Sequence, residues 1–273
     1  MATKKSTTKK APAAAAKPAP AKKDDRVLIV IPFLASEAQG TELRFCIEGW
    51  RRHFKTPYRI AVVGDDPKIQ GDDITYIPCP RVAPIAGQYL PHLDINHKFK
   101  VAREHFPDTR GFIFCCDDYY AVNDFDLSMV QYPKNMGTDI TGDRDSSNGF
   151  KVDKYKTRLL LEKAGLPKVN WTTHLPQWLE WDKLETIWKA YDMEHNSLVF
   201  EDLYFNTYQG TLHAINVSNI DNDNIKCGVY RENARLEYID RAFRDKIWIN
   251  NSTVGWIPYL EQKLREHYGT SAD

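Results

Sequence analysis

Apolar runs and stretches of helical spacing alternate along the first half of this chain. Val27-Leu28-Ile29-Val30-Ile31-Pro32-Phe33 is apolar at every position. A strand covered on both faces reads that way, so the segment predicts the first strand of a parallel sheet. From Thr41 to Phe54 the apolar residues Leu43, Cys46, Ile47, Trp50 and Phe54 recur at helical spacing, with Arg44, Glu48, Arg51 and Arg52 mostly on the opposite side. That pattern predicts an amphipathic crossover helix. Tyr58 to Val63 reads as a second buried strand ended by Gly64-Asp65-Asp66-Pro67, and Asp73 to Ile77 as a shorter third one before Pro78. Prolines and a glycine between Pro80 and Pro91 argue for a loop, and His97 to His105 for a helix with Phe99, Val101 and Ala102 on its apolar face. Gly111-Phe112-Ile113-Phe114-Cys115-Cys116 is a further buried strand, and it runs straight into Asp117-Asp118-Tyr119-Tyr120.

The second half reads as helical: Lys154 to Ala164 closed by Gly165, then Trp181 to Met193, Leu198 to Gln209, Asn233 to Phe243 and Ile257 to His267. The expected fold class is therefore α/β, a Rossmann-type, mostly parallel sheet flanked by helices with a helix-rich C-terminal half. Three regions follow: a tail over residues 1–25, a nucleotide-binding α/β half over 26–150, and a helix-rich, acceptor-side half of the same domain over 151–273.

Composition refines this picture at the N-terminus. Seven of the 37 Lys and Arg fall in the first 23 residues, interleaved with Ala and Pro, so the remainder carries 30 basic residues against 37 acidic ones. With no large apolar side chain after Met1, the tail cannot offset its ordering entropy by burial and is expected to be disordered. Clustered lysines could contact nucleic acid or an anionic surface, or simply act as a spacer. The tail offers only Ala13 to Ala16 toward the apolar core of a secretory signal, and no later run approaches the length of a membrane span, so the expected location is cytoplasmic. Five cysteines, Cys46, Cys79, Cys115, Cys116 and Cys227, fit no zinc spacing, which suits reduced thiols.

The chemistry concentrates at the strand end. In open α/β sheets, ligands gather beyond the carboxyl ends of the strands, and the strand from Gly111 delivers Asp117 and Asp118 to that edge. A divalent cation such as Mg2+ or Mn2+ takes oxygen ligands and needs only one or two carboxylates when a diphosphate supplies the others. The pair could instead solvate a turn, as Asp65-Asp66 and Asp72-Asp73 are expected to do.

The hydrophobic strand, Asp117-Asp118 and the aromatic pair after it resemble the DxD-type strand end of GT-A glycosyltransferases, and the wider arrangement is similar to the Stealth family of sugar-phosphate transferases. That family's longest block has counterparts in Leu43-Arg44 with Trp50, in Ile60 to Val63, in Leu90-Pro91 and in Asp117-Asp118-Tyr119. Its His-x-Pro block, ahead of an acidic pair on a helix, is similar to Thr173-His174-Leu175-Pro176 followed by Glu201-Asp202, and Ile247-Trp248-Ile249-Asn250 echoes its C-terminal block. The chain departs from the family at Pro32-Phe33, where Trp-Val-Asp is usual, and at His92-Leu93-Asp94, where small polar residues are usual. The resemblance implies transfer of a sugar or sugar phosphate from a nucleotide-sugar, with UDP favoured by analogy. The acceptor would be a hydroxyl of a glycan or polysaccharide, and the metal would sit on Asp117 and Asp118.

Further candidates rest on position. A neutral His174 could deprotonate an acceptor hydroxyl. Glu201 and Asp202 could act as base or metal ligand, or complement the dipole of their helix. Asn96 and Lys98, with His97, open an expected helix at the same edge, where they could meet a ribose and a phosphate. Asp143 and Arg144, in a polar loop, could touch donor hydroxyls. Trp171, Trp178, Trp181, Trp188 and Tyr191 could include a sugar platform, although Trp181, Trp188 and Tyr191 recur at the spacing of a buried helix face. A metal-assisted hydrolase would want paired histidines at helical spacing, a dehydrogenase a Gly-x-Gly-x-x-Gly turn, and a Walker NTPase a glycine-rich loop ending in Lys-Ser or Lys-Thr. None of these is in the sequence. A nucleic-acid-binding or particle-associated structural protein working through its basic tail is the remaining alternative, against which the acidic balance of the folded part counts.

Overall fold

Strand β1 (Val27–Phe33) is the axis of the structure, a computed structural model that describes residues 24–84, 87–209, 214–217 and 225–269. The basic tail lies outside the described residues up to Lys23. Helix α1 (Glu42–His53) crosses from β1 to β2 (Tyr58–Gly64), which is followed by β3 (Ile74–Pro78), helix α2 (Pro91–His105) and β4 (Gly111–Phe114). The order across the main sheet is β3-β2-β1-β4-β7, parallel throughout except for β7 (Gln177–Glu180), which runs antiparallel to β4. From β1 the chain builds outward to β3, then returns to place β4 on the other side of β1. The direction of building thus reverses between β1 and β4, and such a switch point opens a crevice at the carboxyl ends of the two strands.

Both faces of β1 are covered, which is why its sequence is continuously apolar. Ile29, Ile31 and Phe33 pack with Leu43, Phe45, Ile47 and Trp50 of α1, while Leu28 and Val30 pack with Phe99 of α2 and with Phe112, Trp181 and Leu203. A small strand β5 (Tyr119–Ala121) follows the acidic pair, then α3 (Leu127–Gln131), β6 (Lys134–Asn135) and α4 (Gly149–Lys163). Helices α5 (Trp181–Tyr191) and α6 (Phe200–Tyr208) come next, then β8 (Ile215–Asn216), β9 (Lys226–Val229), α7 (Leu236–Asp245), β10 (Trp248–Asn251) and α8 (Pro258–Tyr268). Strands β5, β10 and β9 form a second sheet, and β6 pairs with β8.

The mixed α/β class, the mostly parallel sheet and its flanking helices stand as expected, but three element readings need correction. Helix α2 begins at Pro91 rather than His97, because a proline that ends a loop also suits the first helical turn, where its missing N–H is no loss. Helix α4 begins at Gly149 rather than Lys154, with the Asn148 side chain capping the Phe150 N–H at 2.9 Å. The helix-rich later half also carries strands: β7 completes the main sheet, so His174, expected just before a helix, precedes a strand. Strands of two to four residues are too short to show an alternation in sequence.

Candidate functional site

The carboxyl ends of β1 and β4 define the crevice. Register pairs Val30 with Phe114, and the Cys115 N–H still donates to the Val30 carbonyl at 3.1 Å, so the chain leaves the sheet only as it reaches Cys116. Asp117 and Asp118 therefore stand at the crevice, partly accessible to solvent yet enclosed by protein on most sides. Desolvation, helped by the charge of Glu42, pushes the Asp117 carboxyl up to about 7. Desolvation pushes Asp118 well above the carboxylate range, with Asp117 and Glu42 adding repulsion.

Glu42 is a third carboxylate that the sequence reading missed. It opens α1, is only 4% exposed, and is itself raised by burial. Both its oxygens are engaged: Oε1 accepts from Asn251 Nδ2 at 2.6 Å and Oε2 from the Gln39 N–H at 2.6 Å. Asn251 is held in turn by the Tyr120 hydroxyl, which donates to its Oδ1 at 2.6 Å. The available signal was positional, since a crossover helix after β1 starts at the same edge where β4 ends.

Three carboxylates act on one another, and the forces acting on Asp117 and Asp118 include no cationic side chain. Among the described residues no three His, Cys, Asp or Glu side chains surround one ion position. A divalent cation at this edge would draw one or two ligands from Asp117 and Asp118 and the rest from a phosphate ligand and water, with Glu42, its oxygens bonded elsewhere, adding only charge.

The other sequence candidates divide. His174 comes to the site: its ring stands 6.4 Å from that of Tyr119 and 5.8 Å from that of Tyr230, centroid to centroid. Its backbone adopts φ 53°, a left-handed conformation that costs a non-glycine residue about 1–3 kcal/mol. Burial and the nearby Lys226 and Lys154 push its imidazole down to about 4, which favours the neutral ring at physiological pH. Glu201, in the first turn of α6, is near enough to Tyr119 for its charge, like that of Asp118, to disfavour ionisation of that phenol. Its Oε2 is enclosed without a hydrogen-bond partner, and desolvation pushes the carboxyl up to about 7. Asp202, its neighbour, is saturated: Oδ2 takes the Lys154 ammonium at 2.7 Å and Oδ1 the Trp171 N–H at 2.7 Å.

Lys98 reaches the right edge but is spent internally. Its side chain lies against Gly64 at the end of β2, and its ammonium pairs with Asp94 in the interior. Asn96 is buried in mid-helix, where Nδ2 donates to the Leu198 carbonyl at 3.3 Å. Asp143 and Arg144 lie on an exposed loop with local contacts, Asp143 accepting from the Asp145 N–H and Arg144 facing the Asp145 carboxylate. Trp171 and Trp181 are wholly buried core. A groove of about 820 Å³ between α2 and α5 borders Leu93, Asn96, Trp188 and Met193, and neither Asp117 nor Asp118 lines it.

No family model matches the chain, and no curated protein matches it. The similarity to the Stealth family thus rests on its short motifs. Among solved structures, a glycosyltransferase involved in the glycosylation of the major capsid of PBCV-1 is similar over 90% of this chain and 100% of that one, at 11% sequence identity and a TM-score of 0.40. Among the described residues no helix is long and apolar enough to cross a membrane.

Proposed function

We propose that this chain is a metal-dependent transferase that moves a sugar, or a sugar phosphate, from a nucleotide-sugar to an acceptor hydroxyl. One observation carries the reading: two uncompensated, partly buried carboxylates end β4 at the switch point between β1 and β4, backed by a third on α1. A hard divalent cation such as Mg2+ or Mn2+ would offset that charge. When bound, the cation would act as a Lewis acid that neutralises charge on the departing nucleotide.

The chain's own residues supply the remainder. Asp117 and Asp118 would hold the cation, and through it the donor's phosphates, at the crevice. Glu42, tied down by Asn251 and Gln39, keeps the field there negative and the metal side rigid. Glu201 is the base: a carboxyl near 7 is matched to proton transfer at neutral pH, whereas an imidazole held near 4 is a weak acceptor. His174, neutral and set between Tyr119 and Tyr230, then serves to bind and orient the acceptor.

The test is thermal denaturation with Mn2+ and a panel of UDP-, GDP- and CMP-sugars, run beside an Asp117→Ala, Asp118→Ala double variant. Stabilisation by one donor that needs the metal and disappears in the double variant is the expected result. Failure of every donor at saturating metal, with the protein folded, overturns the reading.

A further inference from the structure

Behind Glu201 lies a chain of three buried groups that the sequence reading left unused. His92, in the first turn of α2, is 4% exposed, Asp153 of α4 is 0% exposed, and Glu201 of α6 is 4% exposed. Asp153 Oδ2 lies 3.2 Å from His92 Nδ1 and also accepts the His92 backbone N–H at 3.3 Å. On the far edge of the same ring, Nε2 faces Glu201 Oε2 at 3.8 Å. The imidazole is wedged between Phe150, at 5.6 Å between centroids, and Phe200, at 6.1 Å. Three helices thus deliver a carboxylate, an imidazole and a carboxylate in line, and the last of them acts on Tyr119 at the acidic crevice.

The geometry selects a proton arrangement. A carboxylate against Nδ1 keeps the ring proton on that nitrogen, so the Nε2 lone pair points at Glu201. Two acceptors facing each other across an apolar enclosure repel unless a proton lies between them. Glu201 Oε2 has no other hydrogen-bond partner with which to relieve that contact. The 3.8 Å separation is longer than a hydrogen bond, as catalytic contacts often are before substrate closes the site.

We infer that His92 and Asp153 are positioning residues for Glu201, with Asp153 fixing the imidazole and Nε2 receiving, by way of Glu201, the proton removed from the acceptor hydroxyl. This rests on the transferase reading above. In balance, the acceptor O–H bond breaks and its electron pair forms the new bond to the transferred centre. The bond from that centre to the nucleotide breaks, and its electron pair leaves with the nucleotide. The proton passes from Glu201 to His92 Nε2, and Asp153 stabilises the resulting imidazolium. The other charged or titratable groups around Glu201 are Tyr119 of β5, Lys154 of α4 and Asp202 beside it. Lys154 and Asp202 are already paired with each other.

The test needs no donor, so its failure is separable from failure of the transferase reading. The Glu201 side-chain carboxyl is followed by carbon NMR across pH in the full-length protein, in the His92→Gln and Asp153→Asn variants, and with Glu201→Gln to assign the signal. The Nε2 lone pair accepts the Glu201 proton and so favours the protonated carboxyl, and its removal should lower the titration midpoint, by about one pH unit for the loss of one hydrogen bond to the neutral acid. Asp153→Asn, which keeps the shape of the side chain, should move it the same way by less. A structural contact alone leaves the midpoint in place, and a midpoint unchanged in both folded variants, or in Asp153→Asn if His92→Gln does not fold, overturns the inference.

Discussion

Replacing Glu201 by Gln should stabilise the ligand-free protein at alkaline pH and destabilise it slightly, by about 1 kcal/mol, at acid pH. Burial moves this carboxyl from 4.5 to about 7, so the folded state holds the proton more tightly than the unfolded state does. Between those values the native protein binds more protons, and stability therefore falls as pH rises from about 4.5 to about 7, then levels off. At about 1.4 kcal/mol per pH unit, the full span is worth about 3 kcal/mol against the ionised form. Gln keeps the shape and loses the charge, but its amide must find partners in the same enclosure, which removes about 1 kcal/mol of the gain. The net expectation is about 2 kcal/mol above pH 8, or about 4–8 °C in Tm for a domain of this size. Urea unfolding at closely spaced pH values from 4 to 9 reads the difference directly. A variant that is equally or less stable than the parent at every pH would show that Glu201 carries no desolvation burden, and would remove the reason for assigning it as the base. A gain of stability on losing a functional group is the pattern expected where a strained site is retained for its chemistry.

Two other substitutions probe the frame around the site. Gly64 ends β2 with φ 141°, and a Cβ there would stand 1.9 Å from the Phe33 carbonyl oxygen, so Gly64→Ala should cost about 1–3 kcal/mol in urea unfolding and disturb the edge where β1 ends. Lys154 is fully engaged, by Asp202 at 2.7 Å, Asn170 at 2.6 Å and Thr172 at 2.8 Å, so Lys154→Met should cost about 3–5 kcal/mol by stranding the Asp202 charge. Adding Asp202→Asn should recover part of that loss in the same assay, and no recovery would show that the charge was not its source.

The legible parts of the sequence were those set by a single strong constraint. Strands buried on both faces leave long apolar runs, so β1 and β2 could be placed almost to the residue, and with them the edge that carries Asp117 and Asp118. The helical spacing of Leu43, Cys46, Ile47 and Trp50 located α1 equally well. What escaped was decided by contacts distant in sequence. Glu42 matters because Asn251, 209 residues away, binds it beside the acidic pair, and no local pattern announces such a partner. His92 was noticed as a departure from a family pattern, yet its role depends on Asp153 and Glu201, which two other helices bring to it. Lys98 shows the converse: an attractive residue at the right edge is consumed by Asp94 one helical turn before it, and only the buried rotamers reveal this. Short strands such as β7 and β10 acquire their identity from the sheets they complete, so their sequences alone resemble loops or helix flanks.

On the proposed reading the acidic strand end would hold a divalent cation together with a nucleotide's phosphates. Electron paramagnetic resonance of free Mn2+, titrated with the protein in the presence of UDP or GDP, tests it most directly. The expected result is loss of the free-ion signal at one ion per chain with at least one of these nucleotides, and no such loss in a folded Asp117→Asn, Asp118→Asn double variant. Equal loss in both proteins, or none in the parent with either nucleotide, would contradict the claim and leave Asp117 and Asp118 as a buried turn.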